Sequence, residues 1–189
     1  MNSMKRRILA VAILLGLATA DGHTQEASPV FENTVGVVSV SAMTGGKQYL
    51  LSGNAHINYW SKDATGYFFG KYEEGRPAGT LRYRTLHAKA EDATIIEELG
   101  GTTKAETTLI EMFALLSVQA KGEGEPFLTN MPNIFYIRDK KGELRAVCLM
   151  RGADGWELSA GPVGKGSWAF GSRVFVRVPS VGTEASAQP

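Results

Sequence analysis

The amino-acid sequence predicts an α+β fold: a strand-rich antiparallel sheet, or a partly closed barrel of two meanders, with two helices inserted mid-chain. Short runs of β-branched and aromatic residues alternate with glycine-containing turns along most of the chain, a pattern typical of about eight to ten strands. Apolar residues recur at helical spacing only between residues 88 and 121. The single cysteine excludes an intramolecular disulfide, so the core alone must hold the fold.

The first 20 residues have the pattern of a secretory signal peptide. Lys5, Arg6 and Arg7 precede an apolar run over residues 8–17, and small residues lead to Ala20, after which signal peptidase would cut. The run has roughly half the length of a membrane-spanning helix, which needs about 20 apolar residues. No cysteine near the cleavage point indicates a lipid anchor. We therefore expect a periplasmic or secreted protein without a membrane anchor after cleavage.

The mature chain divides by composition into one domain with two polar ends. Residues 21–29 predict a disordered leader and residues 179–189 a disordered tail, because both lack a periodic apolar pattern. Residues 30–178 then form a single globular β-rich domain, of a size that can bury a sufficient core. Cys148 lies in an apolar run and is expected to be buried and inert.

The first half of the domain predicts strands joined by short turns. Residues 34–40 and 48–51 flank Gly45 and Gly46, which favours a hairpin around a glycine turn. Three further strands are predicted, and their spacing is that of an antiparallel meander: residues 55–60, 67–72 and 80–86.

Two helices follow. The first is predicted over residues 93–99, with Gly100 in the position of a C-terminal cap. The second begins at a capping-box pattern, Thr103 to Glu106, and continues through apolar residues that recur to Leu116. The apolar side of this second helix should cover the sheet.

After the helices the pattern returns to strands. Residues 134–137 and 144–150 flank a polar turn at 139–142 and predict a hairpin. A strand over 156–159, a glycine-rich crossing over 161–166 and a last strand over 168–178 complete the domain. Apolar residues point both ways in that last strand, so it should be buried on both faces.

Motifs for catalysis, cofactors and metals are missing from the pattern, and we predict no catalytic residue, no metal ligand and no cofactor. The glycine-rich segment around Lys165 lacks the Ser or Thr that a phosphate-binding loop places directly after its lysine. His23, His56 and His87 are isolated from one another and from other ligand types. The carboxylate pairs Glu73-Glu74 and Glu97-Glu98 are expected to be solvated charge.

Charge argues against nucleic acid as a partner. The whole chain has 20 basic and 19 acidic residues, and loss of Lys5, Arg6 and Arg7 with the signal leaves 17 against 19. Basic residues are scattered among acidic ones, whereas a nucleic-acid-binding protein clusters them on one face.

Aromatic residues give the most unusual local feature. Trp60, Tyr67, Phe69 and Tyr72 fall on two neighbouring predicted strands, and the second strand has aromatic side chains on both faces. Such a strand is either buried on both sides or exposes a recognition surface. These four residues are our candidate binding residues.

Three functional hypotheses remain open. The first is a non-enzymatic binding, inhibitor or accessory module whose partner is another envelope or secreted protein. The second is a hydrolase of cell-envelope polymers, which requires two carboxylates, distant in sequence, to meet in a cleft. The third is a small-ligand carrier, which requires a lined cavity inside the barrel.

Overall fold

The computed structural model describes residues 29–48, 57–120 and 126–178. The predicted signal peptide, most of the leader, the predicted tail and residues 49–56 lie outside the described residues. In chain order the elements are β1 (Phe31–Val40), β2 (Gly46–Gln48), β3 (Ile57–Trp60), α1 (Lys62–Phe68), β4 (Lys71–Glu73), β5 (Gly79–Leu86), β6 (Ala90–Glu91), α2 (Asp92–Glu98), α3 (Thr102–Ala105), β7 (Glu106–Thr107), α4 (Leu109–Ala120), β8 (Asn133–Arg138), β9 (Leu144–Arg151), β10 (Trp156–Pro162), β11 (Ser167–Trp168) and β12 (Arg173–Arg177).

An open, mixed sheet of eight strands organises the fold and confirms the α+β class. Seven strands follow the order β1-β5-β12-β8-β9-β10-β3, and β7 pairs with β8 beside this path. Most neighbours are antiparallel, but β3–β10, β12–β8 and β7–β8 are parallel. Two short ribbons, β2–β4 and β6–β11, lie outside the main sheet. The sheet is therefore neither a closed barrel nor a pair of consecutive meanders.

Helices cover both faces of the sheet. Side chains alternate along β8, so that Phe135 and Ile137 pack with α1 and α4 in one core cluster. Ile134 and Tyr136 point the other way and pack with α2 and α3 in a second cluster. We call these two sides of the sheet the α4 face and the α2 face. Burial on both faces explains why residues 134–137 of β8 are an uninterrupted apolar run.

The second half of the chain follows the prediction from sequence closely. The hairpin of β8 and β9 is confirmed, with Gly142 at a φ of 83° in its turn. Val174, Phe175 and Val176 in β12 are all buried, as expected for a strand covered on both faces. None of the helices in the described part of the chain is long and apolar enough to span a bilayer.

The first half departs from the predicted pairings. The proposed hairpin around Gly45 and Gly46 is wrong, because β1 pairs with β5 while β2 pairs with β4. The proposed meander is wrong for the same reason, since β3 pairs with β10 at the opposite edge of the sheet. These partners are distant in sequence, so turn chemistry alone could not identify them.

The strand predicted over residues 67–72 is also wrong, because its first part belongs to helix α1. Ser61 caps this helix, its hydroxyl oxygen accepting a hydrogen bond from the Ala64 amide at 3.1 Å. Ala64 and Phe68 lie one turn apart and are both buried against the sheet. Capping and this spacing outweigh the strand preference of the aromatic residues.

The two predicted mid-chain helices are present with different boundaries. α2 ends at Glu98 with Leu99 as its capping residue, and the amides of Gly100 and Gly101 bond back to the carbonyls of Glu97 and Ile96, which confirms the predicted glycine cap. The predicted capping box at Thr103 to Glu106 is wrong. That segment forms the short helix α3 and the start of β7, and α4 follows as a separate helix.

The capping box lies five residues later, at Thr108 and Glu111. The Glu111 carboxylate accepts hydrogen bonds from the Thr108 amide and hydroxyl, and the Thr108 hydroxyl accepts one from the Glu111 amide at 3.3 Å. Both segments match the same sequence pattern. Because Glu106 and Thr107 form strand β7, only the later segment lies at the start of α4.

Candidate binding surface

The structure separates the four candidate aromatic residues into exposed and half-buried pairs. Phe69 and Tyr72 are 46% and 64% exposed. Trp60 and Tyr67 are half-buried and pack against the core on the α4 face. Phe69 follows the last residue of α1 and Tyr72 is the middle residue of β4, so one short segment presents both exposed rings.

Tyr67 ties this segment to the hairpin of β8 and β9. Its carbonyl accepts a hydrogen bond from the Lys140 amide at 3.2 Å. The Arg145 guanidinium lies 4.1 Å from the centre of the Tyr67 ring, a distance typical of a cation–π contact. Arg145 is in turn held by the Asp139 carboxylate, through hydrogen bonds of 2.9 and 2.7 Å. The buried ion pair of Asp139 and Arg145 therefore holds the C-terminal end of α1 against the β8–β9 hairpin.

Glu73 fixes the segment on its other side. It follows Tyr72 in β4, so its side chain points away from the Tyr72 ring and into the protein. Its carboxylate accepts hydrogen bonds from the Leu109 and Ile110 amides at 3.1 and 2.8 Å, and it pairs with Lys71 at 2.6 Å. A negative charge at the N-terminus of α4 also interacts favourably with the positive end of the helix dipole. Because successive side chains of a strand point to opposite sides, the anchored Glu73 side chain leaves the Tyr72 ring facing solvent.

Trp60 lies at the opposite end of α1 from Phe69. It lies before α1, whereas Phe69 lies after it, and seven helical residues at about 1.5 Å each separate the two by roughly 10 Å. The Trp60 ring meets Phe113 of α4 edge to face, with 6.1 Å between centroids. We call the short segment that carries the exposed rings of Phe69 and Tyr72, with the half-buried Tyr67 before them, the aromatic end.

Two carboxylates expected to be solvated, the buried Glu73 and the half-buried Glu98, instead make structural contacts. Glu73 is 5% exposed, so the prediction for it is wrong, whereas Glu74 is exposed. Glu98 accepts a hydrogen bond from the Val30 amide at 2.7 Å and pairs with Arg84, so that prediction is wrong as well. Each of these acids accepts a hydrogen bond from a backbone amide that lies far away in the sequence. Residue type alone does not predict such a partner.

Asp92 is another buried acid with several hydrogen-bond donors around it. It accepts hydrogen bonds from the Tyr136 hydroxyl at 2.9 Å, the Trp168 indole at 2.6 Å and the Gly164 amide at 2.8 Å. Burial, together with the Asp92 charge, raises the pKa of Tyr136 well above its ordinary value. This network holds the glycine-rich crossing against the α2 face, so that segment serves the fold.

Cys148 is buried, as predicted. Burial raises the pKa of its thiol to about 11, although a hydrogen bond with Ser159 acts in the opposite direction. The thiolate that nucleophilic chemistry needs is therefore scarce near neutral pH. Within the described residues, no three His, Cys, Asp or Glu side chains converge as metal ligands, and His87 is exposed. His23 and His56 lie outside the described residues.

Comparisons with protein-family models, with curated proteins and with solved structures find no match to this chain. A functional proposal therefore has to be built from the residues and the geometry described above.

Proposed function

We propose that this chain works in the bacterial envelope or outside the cell as a non-enzymatic module that binds another protein through the aromatic end. One observation carries the proposal: Phe69 and Tyr72 present large apolar rings to solvent from a segment that buried ion pairs hold on both sides. Rigid aromatic anchors lose little conformational freedom on binding, and they dominate the energetics of many interfaces.

The surroundings of the aromatic end favour a protein over other partners. Lys140, Lys141 and Glu143 are exposed in the hairpin turn that bonds to Tyr67, and Glu74 is exposed two residues after Tyr72. Aromatic anchors within a rim of mixed charge are typical of protein–protein interfaces. An anionic polymer or membrane would instead favour a basic cluster.

The hydrolase and carrier hypotheses receive less support. The buried acids Asp92, Glu73, Glu111 and Asp139 already accept hydrogen bonds from amides or from side chains, so acid–base work would require breaking structural contacts. A carrier would need a lined interior, and the sheet described here is open with helices on both faces.

Affinity capture tests the proposal. The mature chain from residue 21 onward, tagged and immobilised, is exposed to envelope and secreted fractions, and bound proteins are identified by mass spectrometry. We expect one stoichiometric partner, and we expect Phe69→Ala with Tyr72→Ala to weaken its binding at least about tenfold, because each lost anchor typically costs 1 kcal/mol or more.

Phe170→Ala is the matched control, because Phe170 is as exposed as Tyr72 but lies in the turn before β12, at the opposite end of the sheet. Circular dichroism must show that all variants remain folded. A folded bait that captures nothing, or a partner lost equally with Phe170→Ala, would contradict the proposal.

A further inference from the structure

Among the described residues, strand β1 has one long edge with which no other strand pairs. It has ten residues and pairs with β5 alone among the strands described. The strand at the other end of the sheet, β3, has only four described residues. From Val35 to Val40 the pairing with β5 is regular, and a register shift precedes Val35. The regular part of β1 therefore offers a row of backbone donors and acceptors to another strand.

The side chains along this edge lack the usual protection against pairing. Val35 and Val37 are 44% and 63% exposed and lie on the α2 face, opposite Arg84 and Arg82 of β5. No charged residue and no proline occurs between residues 33 and 43. Natural edge strands commonly carry lysine, proline or inward-pointing charges because a bare apolar edge associates with other strands.

The other face of the edge is covered from within. The Tyr83 ring lies across Gly36, so close that a β-carbon on Gly36 would come within 1.9 Å of a ring carbon. Tyr83 also contacts Phe175 in the core, with 5.5 Å between ring centroids. Gly36 thus lets an aromatic side chain cover the α4 face, while the α2 face of the edge keeps its bare valines.

We propose that β1 pairs with β1 of a second copy of this chain, antiparallel across a two-fold axis at Val37, to give one continuous sheet. A two-fold axis perpendicular to the sheet keeps each side chain on its own face. The axis must therefore pass midway between two copies of the same residue that lie opposite each other. Centred on Val37, the register uses only the regular segment. It sets Val37 against Val37 and Val35 against Ser39, and no like charges meet.

This arrangement closes at two copies. The same edge serves both partners, so no second β1 edge remains for a third copy. Paired edge strands bury less than the roughly 1,600 Å² of a standard interface, so the dimer should dissociate on dilution. The aromatic end uses residues other than those of β1, and the two proposals stand or fall separately.

Cysteine cross-linking tests both the partner and the register. In the mature chain carrying Cys148→Ser, Val37→Cys should form a disulfide-linked dimer under mild oxidation. Val35→Cys should not, because the two copies of residue 35 would lie four residues apart along the paired strands, roughly 13 Å, beyond the span of about 7 Å that a disulfide bridges. Equal cross-linking of both variants, or of neither, would overturn the register.

A charge exchange at Val37 tests the association without covalent chemistry. The exposed position lets Val37→Lys and Val37→Glu fold, and each variant alone should dissociate at least tenfold more readily in sedimentation velocity, because two like charges meet at the axis. Mixing the two variants should restore a dimer. Phe170→Lys is the control for an added exposed charge.

Three outcomes would overturn the proposal. The first is a wild-type chain that stays monomeric at every concentration. A monomer whose β1 edge binds an extended segment of another protein counts as the same outcome. The second is a Val37→Lys variant that dimerises like the wild type. The third is assembly beyond two copies, which a two-fold pairing excludes.

Discussion

At the scale of single residues, neighbouring carboxylates have opposite roles that residue type does not reveal. Glu73 is buried and Glu74 is exposed, although both follow an apolar strand signal. The difference is the N-terminus of α4, whose amide at Leu109 lies 36 residues further along the chain. The same holds for the candidate aromatic residues. The sequence shows that they are clustered, but contacts with residues distant in sequence determine which rings are exposed.

Asp139 gives the clearest test of such a buried carboxylate. Burial alone would raise its pKa, but hydrogen bonds from Arg145 and from the Lys141 and Glu143 amides outweigh burial and hold the pKa below its ordinary value. A lowered pKa stabilises the folded state above the unfolded pKa of about 3.9, and this stability is lost as pH falls through the folded pKa.

Asp139→Asn should therefore lower the free energy of unfolding at pH 7 by about 2–4 kcal/mol, because Arg145 loses its buried partner. The difference from wild type should shrink as pH falls below about 4, because the carboxylate of the unfolded wild-type chain is protonated first, and it should be smallest below the lowered folded pKa. Urea denaturation at several pH values measures both effects, with the exposed Asp154→Asn as control. A difference that does not change with pH would contradict this account.

At the scale of elements, local signals succeed where the stabilising contacts are local. The β8–β9 hairpin and the glycine-capped end of α2 each depend on residues a few positions apart. The aromatic residues at the end of α1 predict a strand, because aromatic residues favour strands in isolation. Its helical signal, Ser61 followed by Ala64 and Phe68, is present in the sequence but shorter than the aromatic run that obscures it.

The start of α4 provides a paired test at this scale. Thr108→Ala should lower the free energy of unfolding by about 1 kcal/mol, because the Thr108 hydroxyl caps the helix. Thr103→Ala, at the position that sequence alone favoured, should change it by no more than about 0.5 kcal/mol, since Thr103 is exposed within α3. Denaturant unfolding of the two variants decides between the caps, and the opposite ranking would place the functional cap at Thr103.

At the scale of the whole molecule, the class of the fold was predictable and the strand order was not. Residue patterns indicate that strands exist and which of them are covered on both faces. They do not indicate that β1 joins β5, that β3 crosses to β10, or that β12 runs parallel to β8. Those pairings depend on how two helical layers close over one sheet, which is a property of the complete chain.

The layered core predicts an uneven distribution of stability, because local opening costs most where both faces of the sheet are covered. β8, β9 and β12 lie between the two helical layers, and Phe135, Val147 and Phe175 are fully buried there. The β2–β4 ribbon has only two strands, so each of them pairs on one side only, and it is separate from the main sheet. Native-state hydrogen exchange should therefore be slowest for the amides of the three central strands, approaching the global free energy of unfolding, and faster for those of the ribbon. Central amides that exchange as fast as those of the ribbon would mean that the two helical layers do not unfold as one cooperative unit with the sheet.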